Sequence, residues 1–155
     1  MRSLARECAF KVIFASLFHD DGMESLERGI FRSAELDRED AAFAKLLCDA
    51  VFAHREELDG LLNRYSIGFS ADRLFATDKS ILLMSFAELR FVGGTPGPVV
   101  ADEAVKLSRK YSAEKSAGFV NGVMASFIAD CAKDPEKAPS GGESGAGAPA
   151  TEEEQ

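Results

Sequence analysis

Apolar residues recur along this chain at spacings of three and four, the repeat of a helix that buries one face. The longest run goes from about Asp40 to Tyr65. There Phe43, Leu46, Leu47, Ala50, Val51, His54, Leu58, Leu61, Leu62 and Tyr65 predict a single helical stripe, with Lys45, Asp49, Arg55, Glu56, Glu57 and Asp59 on the solvated side. Arg2 to His19 is strongly apolar and short of helix breakers, and Met23 to Ala34 gives a weaker helix around Leu26, Ile30 and Phe31. Thr77 to Val92 groups Ile81, Met84, Ser85, Leu89 and Val92, with Thr77 or Asp78 available as N-cap. The GGTPGP segment at 93–98 predicts a turn, because glycine supplies left-handed backbone and proline removes amide donors. Val100, Ala104, Leu107 and Tyr111 then mark one helix, and Phe119, Val120, Val123, Met124, Phe127, Ile128 and Cys131 a last one. No segment alternates like a half-buried strand for more than a few residues. The pattern predicts an all-α fold of six or seven helices in one domain.

The pattern stops near Ala132. From Lys133 the chain is rich in Pro, Gly, Ser, Ala and Glu and has no large apolar residue, so residues 133–155 are expected to form a disordered acidic tail. The whole chain of 155 residues carries a formal charge of −8, which excludes a uniformly basic nucleic-acid coat. Half of that charge belongs to the tail, where six acids face two lysines. The folded body, residues 1–132, is therefore nearer neutrality than the total suggests. Removing the tail is expected to leave stability nearly unchanged and to tighten any binding of anions slightly at low salt.

Candidate chemistry is sparse. The sequence lacks G-x-G-x-x-G, Walker A, H-E-x-x-H and G-x-S-x-G motifs, and its carboxylate pairs Glu39–Asp40 and Glu56–Glu57 fall on solvated positions. These features predict neither an enzyme nor a cofactor. Cys8, Cys48 and Cys131 are odd in number and far apart, which predicts buried free thiols rather than disulfides or a zinc site. His54 lies in an apolar stripe and is read as a core-edge residue. With no apolar run near the length of a membrane span and no signal-like N-terminus, a cytoplasmic location is expected. Charge is more informative. Arg2, Arg6 and Lys11 share the first helix with Glu7, while Lys106, Arg109, Lys110 and Lys115 cluster later with Glu114. They are either ordinary solvated faces or, if folding joins them, one phosphate-binding surface.

Four segments carry a resemblance: ARECAFKVIF at 5–14, TDKSILLMSFAEL at 77–89, ADEAVKLSRKYSAEKS at 101–116 and GFVNGVMASF at 118–127. Their order and content resemble the NusB family of bacterial transcription antitermination factors, over nearly the whole body from Arg2 to about Cys131. The resemblance implies a compact helical protein of two small subdomains. It would bind the single-stranded boxA element of ribosomal RNA leader transcripts together with NusE, a small-subunit ribosomal protein, and help RNA polymerase pass terminators. RNA contacts are implied at Arg2, Arg6, Lys115, Ser116 and Phe119, and the charge map adds Lys106, Arg109 and Lys110. NusE contacts are implied at Phe14, Phe18 and Asp78. The chain departs from the family pattern in having a thinner arginine run before A-R-E, and in Lys115, where some relatives carry an acid.

Several residues keep two readings. Phe119 could stack on a base or cap the core, and Gly122 is expected to permit close helix packing, since glycine within a helix costs about 1 kcal/mol. Phe10, Phe14 and Phe18 recur every four residues beside the small-residue stripe Ala5, Cys8, Ala9, Val12 and Ser16, so the first helix is apolar over much of its circumference. Such a helix is either fully buried or partly covered by a partner; the resemblance implies the second, with Phe14 and Phe18 partly exposed in the free protein. A helical interaction module or homodimer with weak RNA affinity is the alternative function, and a fragment of an RNA methyltransferase a third.

Overall fold

The computed structural model describes residues 2–66 and 74–133. Helix α1 (Arg2–Ser16) ends three residues before His19, and α2 (Met23–Ser33) follows after the left-handed Gly22. Asp37 caps α3 (Arg38–Ala53) by accepting from the Asp40 amide at 2.8 Å. Then come α4 (Arg55–Tyr65), α5 (Ala76–Ala87), a π-helical turn (Glu88–Val92), α6 (Gly97–Tyr111) and α7 (Ser116–Lys133). No strand occurs among the described residues. Among the described residues the fold is all-α with seven α-helices, none of them long and apolar enough to cross a membrane.

Helix α5 sits at the centre, and its sequence explains why. Every residue from Ser80 to Leu89 is buried, so α5 must be covered on all sides. Helices α1, α3, α4, α6 and α7 all pack on it. Its two buried serines turn their hydroxyls back on the helix: Ser80 donates to the Ala76 carbonyl at 2.7 Å and Ser85 to that of Ile81 at 2.8 Å. Ala9 and Ile13 of α1, Leu47 and Val51 of α3, and Met124 and Phe127 of α7 complete one continuous core.

The structure corrects several local expectations. The stripe from Asp40 to Tyr65 is two helices, because His54 leaves helical geometry (φ −122°, ψ 28°) and lies flat on Phe91 with ring centroids 3.7 Å apart. Leu46 is exposed instead of joining the core, since Phe43, Ala44, Leu47, Cys48 and Val51 already fill the buried face of α3. The segment 77–92 is α-helical only to Ala87 and continues as a π-helix to Val92. Beyond it the wider π turn closes with the Gly93 amide bonding the Glu88 carbonyl at 2.7 Å, and Gly93 and Gly94 follow at φ +74° and +86°. Neither Thr77 nor Asp78 is the N-cap of α5. Phe75 holds that position without a side-chain bond. Lys133, expected to open the tail, is the last residue of α7, and residues 134–155 lie outside the described residues.

Helix α4 is fastened to α7 by Tyr65, whose hydroxyl donates to Asp130 Oδ2 at 2.6 Å while its ring meets Phe86 and Phe127 edge-on. Burial, and then the bond to Asp130, push the Tyr65 hydroxyl up to about 12. A raised tyrosine contributes stability below its ordinary value near 10, and the contribution is lost as pH climbs to about 12. Tyr65→Phe is therefore expected to cost about 1 kcal/mol at neutral pH. The gap to wild type should narrow between pH 10 and 12 in thermal melts. An unchanged melting temperature at pH 7 would show that the bond contributes nothing net.

Candidate nucleic-acid interface

The turn between α6 and α7 is organised from beneath by one carboxylate. Asp78, in the first turn of α5, accepts from Ser112 on Oδ1 at 2.8 Å and from Ser116 on Oδ2 at 3.0 Å. Asp78 is only 5% exposed and Ser116 is likewise buried. In the free chain, then, the Asp78 carboxylate faces these two serines and not the solvent, and the Ser116 hydroxyl is engaged by Asp78. Each satisfies the other, as buried polar groups must. What the clamp presents outward is Lys115 within the turn, with Arg109 one turn back on α6, both exposed and without an ion pair among the described residues. Phe119, in the first turn of α7, is half-buried and packs against the edge of the core.

Folding does bring the two basic clusters together, but acids join them. Glu7 of α1 accepts from Lys110 Nζ at 2.8 Å and from the Tyr111 hydroxyl through a shorter bond. Burial alone would raise the Glu7 carboxyl; the bonds from Lys110 and Tyr111 outweigh it and hold the group below the usual glutamate range. Glu103 accepts from Ser3 at 3.0 Å and sits 3.5 Å from Lys106. Arg6 is 4% exposed and makes a bidentate pair with Glu88, 1% exposed, across to the π turn. Burial opposes the Arg6 charge, but the Glu88 bond prevails and raises its pKa further. The expectation that Arg6 meets a phosphate is corrected for this conformation, since Glu88 already occupies its fork. Arg2 stays exposed, with its guanidinium 4.2 Å above the Phe43 ring.

Sequence reading missed a strip of α7. Gly118, Asn121 and Gly122 are all exposed, and a methyl group on either glycine would meet nothing within 4 Å. The close-packing expectation for Gly122 is overturned; the glycine in close contact is Gly97, whose added Cβ would lie 3.1 Å from Ile128. The absence of large apolar residues at 118, 121, 122 and 125 was the available signal, for these positions share one helical face. At the far end of α1 exposure rises by steps: Phe10 is buried, Phe14 half-buried and Phe18 61% exposed. The three rings form a tilted and then an edge-on contact, at 6.2 and 5.3 Å. Cys8 and Cys48 are buried and reduced, Cys131 is half-buried, and no metal-binding cluster occurs among the described residues.

A model of the NusB family matches residues 3–129. The chain belongs to the NusB family. It is 34% identical over 131 residues to the transcription antitermination protein NusB of Agathobacter rectalis, covering 81% of this chain and 98% of that protein. It is 36% identical over 130 residues to the NusB of Acidothermus cellulolyticus, covering 83% and 88%. Among solved structures, T. maritima NusB superposes with a TM-score of 0.79 at 28% identity, over 88% of this chain and 96% of that one. A second match, with a TM-score of 0.76 at 28% identity over 83% and 96%, is a crystal structure of the antitermination factors NusB and NusE in complex with dsRNA. The fold expected from the resemblance is the fold observed.

Proposed function

We propose that this chain is a cytoplasmic transcription antitermination factor that binds boxA RNA of ribosomal leader transcripts together with NusE, within the antitermination complex of RNA polymerase. It works by binding, not by catalysis. The observation that carries the site is the α6–α7 turn, where Arg109 and Lys115 stand exposed with no acid partner among the described residues, and half-buried Phe119 follows in the first turn of α7. Cations that track phosphates next to an aromatic face are what single-stranded RNA recognition uses. Lys106 and Lys110 add charge only as far as phosphate competes with Glu103 and Glu7. Arg2, exposed over the Phe43 ring, adds a cation at the start of α1, and the bare strip of Gly118 and Gly122 lets a ligand approach the α7 backbone. Phe18, exposed at the end of α1, is the anchor for NusE, with Phe14 as its half-buried support.

The test is a titration of a boxA-like single strand against the chain alone and with NusE. Weak binding alone and at least tenfold tighter binding with NusE is expected. Phe18→Ala should remove most of the gain while leaving stability within about 1 kcal/mol of wild type, since an exposed ring contributes at an interface and little to the core. A duplex of the same sequence serves as comparison, and no preference for the single strand would overturn the boxA reading. An undiminished NusE effect in Phe18→Ala would leave the partner surface elsewhere.

A further inference from the structure

Helix α2 follows α1 after a short connection and packs chiefly on it. Between the two lies a groove of about 460 Å³, and none of the residues lining it belongs to the RNA edge. Its floor is aliphatic and small, with Leu4 and Cys8 from α1 and Leu26, Ile30 and Ala34 from α2. Leu4 is 40% exposed, and Leu26 and Ile30 are only half-buried. Along the mouth α2 offers Ser25, Gly29 and Ser33, all exposed and one turn apart, so no large side chain closes the groove. A methyl group on Gly29 would meet nothing within 4 Å, although glycine in mid-helix is a costly choice. From Ser25 to Ala34 the α2 wall is about 14 Å long at 1.5 Å per residue, enough to seat roughly two turns of another helix.

The rim of this groove is cationic. Lys11 on α1 and Arg28 and Arg32 on α2 are exposed, and none of them holds an ion pair among the described residues. Arg28 donates to the Ser25 hydroxyl at 3.4 Å, which brings its guanidinium to the mouth, and Arg32 stands one turn further along the same side of α2. The nearby acids are engaged or stand outside. Glu7 accepts from Lys110 and Tyr111, and Glu27 is buried toward Lys45 of α3. Glu24 and Glu35 precede and follow the α2 wall in sequence. We propose that the groove receives an acidic amphipathic helix from a partner protein, whose apolar residues lie on Leu4, Leu26 and Ile30 while its carboxylates meet Lys11, Arg28 and Arg32. An aliphatic floor between cationic walls is the complement of such a helix, with apolar anchors three and four residues apart and acids on either flank. RNA is the poorer fit, because no aromatic ring among the described residues lines the groove for a base to stack on.

The experiment titrates the full chain with a fluorescein-labelled peptide of about sixteen residues, long enough to form helix, with leucines at three- and four-residue spacing and glutamates on both flanks. Saturable binding is expected, with amide NMR shifts centred on residues 4–11 and 25–34. A peptide with lysine for each glutamate, and one with serine for each leucine, should each bind at least about tenfold more weakly. Gly29→Leu should fill the mouth and weaken binding of the glutamate peptide about tenfold. It should melt no lower than wild type, since leucine is the better helix former and its Cβ meets nothing. K11E/R28E, altered only at exposed positions, should weaken the peptide about as much. No saturable binding by wild type, shifts centred outside those two segments, or undiminished binding by either folded variant would overturn the proposal. So would a uridine-rich single strand that displaces the peptide and loses as much affinity in K11E/R28E, which would make the rim an RNA surface.

Discussion

Glu88→Ala is expected to destabilise the fold by about 3–5 kcal/mol, because it strands the buried Arg6 guanidinium without its partner. Against a total of about 5–15 kcal/mol for a domain, that loss leaves little of the folded population's margin. The pair is expensive by design of its surroundings: Arg6 and Glu88 are 4% and 1% exposed, with the Thr95 hydroxyl, 3.5 Å from Arg6, as the next polar neighbour. Removing both charges at once should cost far less, so Arg6→Met combined with Glu88→Leu should recover most of the loss. Urea denaturation at neutral pH checks both, through midpoints at unchanged slope. A single Glu88→Ala variant within about 1 kcal/mol of wild type would mean that water or rearrangement rescues Arg6. The double variant also settles the role of Arg6 toward RNA. If Arg6 is structural, RNA affinity and its salt dependence should stay as in wild type. If Arg6 leaves Glu88 to meet a phosphate, the salt slope should fall by about 0.7.

Arg6 illustrates what was legible in the sequence and what was not. The helical repeats gave the all-α class, because that signal is local, whereas the stripe Ile81, Met84, Ser85, Leu89 and Val92 was read as one face of a helix that is in fact buried on every side. The break at His54 has no local signal: no glycine or proline stands there, and the stacking ring of Phe91 arrives from 37 residues away. Asp78 followed the same logic. A carboxylate in the first turn of a helix reads as a cap, yet its partners Ser112 and Ser116 lie 34 and 38 residues on. Formal charge counting placed Arg6 and Lys110 among free cations, when tertiary contacts spend one on Glu88 and the other on Glu7. Arg109 and Lys115 survive because no acid among the described residues pairs with them. The exposed face of α7 was hidden by the strength of its neighbours: Val120, Val123 and Phe127 announce a buried helix, and Gly122 between them reads as packing.

The same distinction among cations predicts the largest effect on binding. Reversing Arg109 and Lys115 together to glutamate should weaken binding of a boxA-like single strand by about 30- to 100-fold near 0.1 M salt. Two lost phosphate contacts at about 1 kcal/mol each, with some added repulsion, give that range at 1.4 kcal/mol per tenfold. Each contact also contributes about 0.7 to the slope of log affinity against log salt, so the slope should fall by about 1.4. Stability should barely move, since both side chains are exposed and neither holds an ion pair among the described residues. Lys110→Gln is the informative contrast. Its ammonium is engaged by Glu7, so the neutral variant should lower the slope by less than one full contact while freeing a carboxylate beside the RNA path. The measurement is a series of anisotropy titrations from low to high salt, with melting temperatures recorded for each variant. A slope unchanged by the double reversal would remove Arg109 and Lys115 from the RNA surface, even if affinity fell, because misfolding lowers affinity without changing the number of phosphates neutralised. A slope lowered equally by Lys110→Gln would show that Glu7 yields Lys110 to RNA at no cost, and the interface would then extend across the seam to α1.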